Sequence, residues 1–350
     1  MRFSANKPVV TFDFDELRQN GVAEQELRKY FPEYILNPTT LYYGRLKRTV
    51  LSLLRWFLTI MVKLLLSPRS MSGSLDQSEI DEVYTREART YNRKHHLTTY
   101  GMDLIWRRTA GWFVSLIGRN KQGLVKILDI CTGTGLTVKE LQAIMQEWNV
   151  NAEVVGLDYN ERMLAVAKNS AIPESDQVSF VQGDATDLLR SFSVNSFDVA
   201  TQVFGIGGIP EPLKVFSGVL QILKPGGQFL MIDMHKPIPE YPGEWPFLLR
   251  WPQFPVLEAI IYEETTIPLV LNRLWGWRDT TSCFYLLPLT TYQDDDGRHW
   301  GFNVRYFEQE SQRWWFSLPL MSIAKIVVEK VEISEDVAKN REAILGACVA

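Results

Sequence analysis

Between residues 126 and 233, short apolar runs alternate with longer segments in which apolar residues recur at helical spacing. Apolar runs bounded by turn residues predict buried strands, and the periodic segments predict amphipathic helices. We therefore predict strands at 126–130, 153–157, 178–181, 197–202 and 229–233, with helices near 138–148, 162–169 and 212–223. Strands that alternate with helices predict a doubly wound α/β fold, in which helices cover both faces of a mostly parallel sheet.

The segments on either side of this alternation have different patterns. Residues 75–120 have the spacing of helices, whereas CFYLLPLTTYQDDDGRHWGFNVRYFEQE (283–310) predicts two strands around its DDDG turn. SIAKIVVEKVEI (322–333) predicts a further strand, and residues 336–345 predict a closing helix. We therefore expect a helical segment before the sheet and a β-containing region after it.

Residues 45–66, RLKRTVLSLLRWFLTIMVKLLL, predict an amphipathic helix with a narrow basic stripe. The polar side carries Arg45, Arg48, Ser52, Arg55, Thr59 and Lys63. A membrane-spanning helix would place Arg55 near the bilayer centre, at a cost of about 2.5–3.5 kcal/mol. Two interpretations remain. The helix lies in the membrane interface with its basic side at the head groups, or it is buried against the rest of the chain or a dimer partner.

Composition and charge narrow the choice of partner and compartment. The net charge is −4, so no bulk basic field favours nucleic acid as a partner. Cys131, Cys283 and Cys348 form no CxxC pair, which argues against a disulfide framework and for a reducing cytosol. With four histidines in the chain we expect no metal site. We expect a cytoplasmic protein, with peripheral membrane contact under the first interpretation of residues 45–66.

The stretch ILDICTGTG (127–135) predicts a buried strand that enters a glycine turn. Glycines at such a turn let the backbone approach a ligand closely. A dinucleotide site needs a third glycine for close helix packing, but Val138 stands at that position. The Asp129 carboxylate would repel a pyrophosphate and attract a cationic group. The turn therefore favours S-adenosylmethionine, whose amino group is cationic, over a nicotinamide dinucleotide.

Polar residues follow the next three strands as well. Asp158 comes 23 positions after Gly135, where a carboxylate can accept both hydroxyls of a ribose. Asp184 follows the third strand, where it would meet an adenine amino group or cap a helix. Gln202, at the end of the fourth strand, would face the reacting centre, because ligands of open α/β sheets bind outside the carboxyl ends of the strands.

Five motifs, in their order and spacing, resemble those of class I S-adenosylmethionine methyltransferases: ILDICTGTG, VVGLDYNERML, VQGDATDL, SFDVATQVFG and LKPGGQFLMID. This resemblance covers about residues 80–240. EARTYNRKHHLTTYGMDLIWRR, QVFGIGGI and DMHKPI add a narrower similarity to the ubiquinone/menaquinone C-methyltransferase family. The resemblance implies a Rossmann-like fold, S-adenosylmethionine as the methyl donor and an acceptor of the quinol type.

The resemblance also implies which residues hold the cofactor. Tyr91 would contact it from a helical lid, and ten other residues would form its pocket. These are Asp129, Thr132, Gly133, Gly135, Asp158, Tyr159, Met163, Asp184, Ala185 and Gln202. Two positions depart from the family, since Asn92 stands in place of an acidic residue and Gly207-Gly208 in place of an Arg-Asn pair.

We accordingly expect four regions along the chain. They are an N-terminal extension over 1–74, a helical lid over 75–120, an S-adenosylmethionine-binding core over 121–235, and a substrate region with closing strands over 236–350. His235, just after the fifth strand, is the candidate catalytic base, and the alternative is an ordinary surface or hydrogen-bonded histidine.

The expected function is transfer of a methyl group from S-adenosylmethionine to an apolar small molecule, such as a quinol, another prenylated ring or a lipid. Three alternatives remain. They are N- or O-methylation of a polar metabolite or lipid head group, a nicotinamide-dependent oxidoreductase, which Val138 and Asp129 disfavour, and a non-catalytic cofactor-binding subunit.

Overall fold

The computed structural model describes residues 77–99, 101–119, 123–170, 177–235, 279–313 and 319–349, with the single residues Gln25 and Lys121. The basic-striped segment 45–66, the rest of the predicted extension apart from Gln25, and residues 236–278 lie outside these ranges. Among the helices that can be described, none is both long and apolar enough to cross a membrane. The two interpretations of segment 45–66 therefore stay predictions.

Three helices precede the sheet, as the spacing of residues 75–120 predicts. They are α1 (Gln77–Glu87), α2 (Tyr91–Thr98) and α3 (Met102–Arg119). Gly101 separates α2 from α3 with a φ of +79°, and a Cβ there would lie 2.9 Å from the His96 ring. This turn requires glycine, and it folds α3 back so that the fully buried Trp106 and Ala110 pack over the sheet.

The predicted alternation is confirmed. The elements are β1 (Val125–Ile130), α4 (Leu136–Glu147), β2 (Ala152–Asp158), α5 (Glu161–Lys168), β3 (Val178–Gln182), β4 (Phe197–Val203), α6 (Pro212–Ile222) and β5 (Leu223–Met234). Short 3₁₀ helices at Ala185–Arg190 and Ile206–Gly208 follow β3 and β4. All pairs among these five strands are parallel, and Leu128 of β1, for example, lies between Val155 of β2 and Ala200 of β4.

The segment after the fifth strand completes the same sheet. It comprises α7 (Thr281–Leu286), a 3₁₀ turn (Leu287–Leu289), β6 (Thr291–Gln293), β7 (His299–Arg313), β8 (Pro319–Ile333) and α8 (Glu335–Val349). The strand order is β3-β2-β1-β4-β5-β8-β7-β6, with β8, β7 and β6 added in antiparallel pairs. The hairpin around the DDDG turn, the strand at 322–333 and the closing helix are confirmed.

The prediction of a strand at the start of the 283–310 stretch is wrong. CFYLLPL is helical through Leu289, and only 291–293 pair with β7. Its residues are buried on every side, from Cys283 at 0% to Tyr285 at 6% exposure. A continuous apolar run has no period that separates a strand from a buried helix, which explains the error.

Apolar side chains cover both faces of the sheet. On one face, α3, α4 and α5 pack Val114, Leu141 and Leu164 against β1, β2 and β3. On the other face, α6, α7 and α8 pack Phe216, Phe284 and Ile344 against β4, β5 and β8. This is the doubly wound architecture, and it leaves only the ends of the parallel strands and their loops free to form a site.

Candidate functional site

A cavity of about 730 Å³, including its open mouth, lies at the carboxyl ends of β1, β2 and β4. The strand order reverses here, because the chain moves from β1 outward to β2 and β3 and then returns to β4 on the other side. Seven of the predicted cofactor-binding residues line the cavity: Tyr91, Gly133, Asp158, Tyr159, Met163, Asp184 and Ala185. The sheet topology thus gathers residues from a stretch of nearly a hundred positions into one site.

Two residues other than glycine on its wall have left-handed backbones. Cys131 has a φ of 56° and Phe204 a φ of 59°, conformations that residues with a Cβ rarely adopt. Gly205 lies beside them, and a Cβ on it would lie 2.5 Å from the Cβ of Cys131. The loops after β1 and β4 are therefore in direct contact, and such strained backbone is typical of a functional site.

The glycine turn itself is left-handed at both glycines. Gly133 has a φ of +58° and lines the cavity, whereas Gly135 has a φ of +77° and caps α4 without lining it. A Cβ on Gly135 would lie 3.1 Å from the Cβ of Ala167 and 3.3 Å from the Phe180 ring. Gly135 therefore sets the close packing at the start of α4, and only Gly133 offers its backbone to a ligand.

Asp158 is the carboxylate at the end of β2. Its Oδ2 accepts from the backbone N–H of Gly133 at 2.7 Å and its Oδ1 from that of Asn160 at 2.9 Å. Burial raises the pKa of Asp158 to about 6, while these backbone hydrogen bonds act to lower it. The carboxylate links the glycine turn to the loop after β2 and lies on the cavity wall.

Asp184 has the capping role that the sequence left as an alternative, and it also lines the cavity. One carboxylate oxygen, Oδ1, accepts from both the backbone N–H and the hydroxyl of Thr186 at 2.8 Å. Asp184 is thus the N-cap of the 3₁₀ helix Ala185–Arg190 and is exposed to solvent. Capping and ligand contact are compatible, because both bonds use the same oxygen.

Asp129, Thr132 and Gln202 do not line the cavity but lie beside it at the ends of β1 and β4. Asp129 is 1% exposed, its Oδ1 accepts from the Thr201 hydroxyl at 2.8 Å, and its Oδ2 has no hydrogen-bond partner. The Thr132 hydroxyl and the Gln202 Oε1 are likewise buried without a partner. Burial raises the pKa of Asp129 to about 6. Unpaired buried polar atoms are costly, so their concentration here is a second sign of a binding site.

His235 is not among the residues that line this cavity. Its side chain is 0% exposed, and its Nε2 shares a hydrogen bond of 2.8 Å with the Tyr285 hydroxyl. The ring packs edge-on against Phe284 and Phe307, with centroids at 5.2 and 5.8 Å. These contacts are those of a packed histidine, and its role as the base stays a prediction.

The structure adds contacts of α1, the first helix before the sheet, that the sequence analysis missed. Ile80, Asp81 and Tyr84 of α1 line the cavity, and the Tyr84 ring lies 6.1 Å from that of Tyr91. Asn160 joins the lid to the core, because its Nδ2 donates to the Asp81 Oδ1 and the Thr85 hydroxyl, each at 2.7 Å. An asparagine between strand and helix indicates an N-cap, which Asn160 is for α5, but that signal does not predict the contact with α1.

A second missed residue, Asp233 on β5, holds the loop after β4. This wholly buried carboxylate accepts from Gln202 Nε2 at 3.1 Å and from the backbone N–H groups of Gly205 and Ile206 at 3.2 and 3.1 Å. Burial raises its pKa to about 6, against the effect of these bonds. Asp233 therefore fixes the loop that brings Phe204 to the cavity. The sequence signal that could have indicated Asp233 is its position at the end of the apolar LMID strand.

Comparison with known proteins gives one family and several relatives. The family model of the ubiE/COQ5 methyltransferase family matches residues 72–249, just over half of the chain. A demethylmenaquinone methyltransferase of Clavibacter sepedonicus is 31% identical over 45% of this chain and 59% of its own length. The corresponding enzyme of Leptospira interrogans is 26% identical over 62% of this chain and 80% of its own length.

The match therefore spans about three fifths of the length of the first of these relatives. Among solved structures, a phosphoethanolamine N-methyltransferase of Haemonchus contortus in complex with S-adenosylhomocysteine is 16% identical, with a TM-score of 0.47 over 77% of this chain and 54% of that chain. The family match includes all three helices that precede the sheet and the whole parallel half of the sheet. This chain belongs to the ubiE/COQ5 methyltransferase family.

Proposed function

We propose that this chain transfers a methyl group from S-adenosylmethionine to an apolar small molecule of the quinol type. The observation that carries the proposal is the cavity at the strand-order reversal, where Gly133 and Asp158 lie together and Asp129 is buried beside them with an unpaired oxygen. Family membership and the demethylmenaquinone methyltransferases among the relatives support the type of acceptor.

The residues present fit the chemical groups of this cofactor. Asp158 is a hydrogen-bond acceptor for ribose hydroxyls at the end of β2. The unpaired Asp129 Oδ2 is an acceptor for an ammonium group. Asp184 and Ala185 would lie along the adenine. A pyrophosphate would meet these carboxylates with like charge, so the site disfavours a nicotinamide dinucleotide.

The chain supplies alignment and water exclusion rather than covalent chemistry. When bound, S-adenosylmethionine supplies a methyl group on a positively charged sulfur, which leaves readily. The Tyr84, Tyr91 and Phe204 rings and Ile209 form an apolar wall that would keep water from the methyl group and pack against a flat ring. The fixed loop after β4, which Asp233 holds, would set the distance between acceptor and methyl group.

The wall also leaves room for an acceptor where the family carries larger residues. Gly208 lines the cavity at the position of the family's Arg-Asn pair, and a Cβ on it would meet only the Tyr84 ring at 3.9 Å. A quinol or an acidic carbon requires removal of a proton, and His235 remains our proposed base for that step.

The experiment is incubation of the full-length protein with methyl-labelled S-adenosylmethionine and a cell lipid extract, followed by identification of the labelled product. We expect label in a prenylated quinol or related ring compound, and none with Asp158→Asn. Label confined to a parallel incubation with water-soluble metabolites would replace the apolar acceptor with a polar one. No transfer to either extract, with normal cofactor binding, would favour a non-catalytic subunit.

A further inference from the structure

We propose that the hydroxyl group of Tyr84 binds the methyl acceptor by forming a hydrogen bond with an oxygen on its ring. This inference rests on the proposed function, since it names the polar group of the site that would select a hydroxylated ring over a plain hydrocarbon ring. None of the sequence motifs includes Tyr84, which lies three residues before the EARTYN stretch.

Tyr84 lies between two apolar clusters that meet at the cavity. On one side its ring packs against the cluster that contains Tyr91 and Met163, both of which line the cavity. Met163 in turn lies next to the glycine turn, since a Cβ on Gly133 would lie 3.7 Å from its Cε. On the other side the Tyr84 ring packs against the cluster that contains Phe204. Tyr84 is therefore placed where the proposed cofactor site meets the loop after β4.

The loop after β4 offers no polar side chain to an acceptor. It reads GIGGI from Gly205 on, and three of its five residues line the cavity. The backbone N–H groups of Gly205 and Ile206 donate to Asp233. Those of Gly208 and Ile209 donate to carbonyl groups within the loop. A polar contact with an acceptor on this side of the cavity therefore has to come from a neighbouring element, and α1 is one that faces the loop.

The Tyr84 hydroxyl lies near this loop. A Cβ on Gly208 would lie 3.9 Å from the hydroxyl oxygen and 3.9 Å from Cε2, so this edge of the ring faces the glycine. No residue that the structure describes forms a hydrogen bond with the hydroxyl. Burial, together with the nearby Tyr91 and Asp158, raises the pKa of Tyr84 well above its usual value, so the hydroxyl keeps its proton. A tyrosine hydroxyl in an apolar site usually has a partner, and here a ligand atom would supply it.

The proposed position of the cofactor leaves this hydroxyl to the acceptor. The ribose would lie at Asp158 and the adenine at Asp184, at the ends of β2 and β3, whereas β4 is on the other side of the strand-order reversal. An acceptor against the loop after β4 would place an oxygen about 2.8 Å from the Tyr84 hydroxyl, in the space beside Gly208. Removal of the acceptor's proton by the base leaves a negative oxygen, and the hydroxyl would donate a charge-assisted hydrogen bond to it.

The experiment measures how the full chain, with S-adenosylhomocysteine bound, binds two flat rings that differ by one hydroxyl group, 1-naphthol and naphthalene. Tyr84→Phe keeps the ring and removes only the hydroxyl. The affinity for 1-naphthol should therefore fall roughly 3- to 10-fold, and the affinities for naphthalene and for S-adenosylhomocysteine should change less than about twofold. Tyr292→Phe is the matched control, because Tyr292 is a half-buried tyrosine on β6 that does not line the cavity. It should change none of these affinities.

Turnover gives a second measurement, with methyl-labelled S-adenosylmethionine and a prenylated 1,4-naphthoquinol. Here kcat/KM of Tyr84→Phe should fall roughly 10- to 100-fold, because the lost hydrogen bond is to a charged oxygen. Gly208→Ala fills the space beside the hydroxyl and should also lower kcat/KM, without weakening S-adenosylhomocysteine binding. Equal losses for both rings, an unchanged affinity for 1-naphthol or a loss of S-adenosylhomocysteine affinity in Tyr84→Phe would overturn this role of Tyr84. If the unmodified protein binds S-adenosylhomocysteine but does not methylate the naphthoquinol, the quinol acceptor of the proposed function is wrong, and this inference with it.

Discussion

Buried aspartates have different partners at the two ends of the parallel sheet. At the amino end, Asp198 of β4 is 4% exposed and accepts from Lys224 Nζ and the Lys126 backbone N–H, each at 2.8 Å, and from Lys121. Burial alone would raise the pKa of Asp198, but these bonds hold it below its usual value. Every polar group around this carboxylate contributes to the fold.

At the carboxyl end, no lysine or arginine among the described residues forms an ion pair with the buried acids, although the charge of Arg107 acts to lower the pKa of Asp129. Burial raises the pKa of Asp129, Asp158 and Asp233 to about 6 in each case. Asp129 keeps an unpaired oxygen, and two residues nearby that are not glycine, Cys131 and Phe204, have left-handed backbones. These features reduce stability, and a protein retains them where a ligand later supplies the missing partners.

The difference teaches how to separate structural charge from functional charge in one fold. Asp198 and Asp158 are both carboxylates near strand ends, and the sequence around each is equally apolar. Only their partners differ, since lysines neutralise Asp198 whereas backbone N–H groups alone contact Asp158. A buried acid paired with cations stabilises the fold, and an acid that lines a cavity without a cation, as Asp158 does, indicates a ligand site.

The largest expected effect comes from Asp158→Asn. The amide cannot accept hydrogen bonds on both sides as the carboxylate does, so it loses one contact to the Gly133 or Asn160 N–H and the acceptor for the ribose. We expect the dissociation constant for S-adenosylhomocysteine to rise roughly 100-fold. The free energy of unfolding in urea should change little, because a neutral amide is easier to bury.

Asp198→Asn is the matched variant at the other end of the sheet. It removes the acceptor of two lysines, so the free energy of unfolding should fall by about 2 kcal/mol. Binding of S-adenosylhomocysteine should stay within about twofold of the unmodified protein. If both variants lost stability and affinity to the same degree, the contrast between the two ends would be wrong.

His235→Ala tests a carboxyl-end residue that is packed like those at the amino end. Because its ring is wholly buried and bonded to Tyr285, we expect the free energy of unfolding to fall by about 2 kcal/mol. Measuring both the turnover per folded molecule and the cofactor affinity distinguishes a structural role of His235 from a catalytic one. A base requires turnover to fall far more than affinity, and Tyr285→Phe, which removes only the shared hydrogen bond, is the control.

Much of the parallel half of the fold could be predicted from the sequence, because each strand and helix there has its own local period. β1 begins at Val125 rather than 126, and β2 to β4 differ by similar amounts. β5 is longer than predicted, since Leu223 already pairs with Phe197 before the PGG turn residues. CFYLLPL was assigned wrongly because its apolar run has no period and only tertiary packing decides its structure.

The residues of the site also differ in whether the sequence predicts them. Gly133, Asp158 and Asp184 could be predicted, since each lies at the carboxyl end of a strand or within three residues of it, and these ends meet at one edge of the sheet. Asn160 and Asp81 are 79 positions apart, and Arg107 and Thr137 are 30 apart, so their contacts depend on how the lid packs on the core. The spacing of apolar residues within one helix or strand does not predict contacts between distant elements. A single sequence contains no other signal for them.

The smallest expected effect is a pH dependence that differs in sign between the two ends. Asp129 and Asp158 have folded pKa values of about 6, above their unfolded values, so their contribution to stability is present at low pH and is lost as pH rises through about 6. Asp198, with its lowered pKa, contributes stability that is lost as pH falls.

Ligand binding requires the ionised carboxylates at the carboxyl end. The affinity for S-adenosylhomocysteine should therefore rise by up to about tenfold for each of Asp129 and Asp158 between pH 5 and 7, and less steeply in Asp129→Asn. Calorimetry across this range checks the slope, and an affinity independent of pH would mean that these acids are already ionised without the ligand.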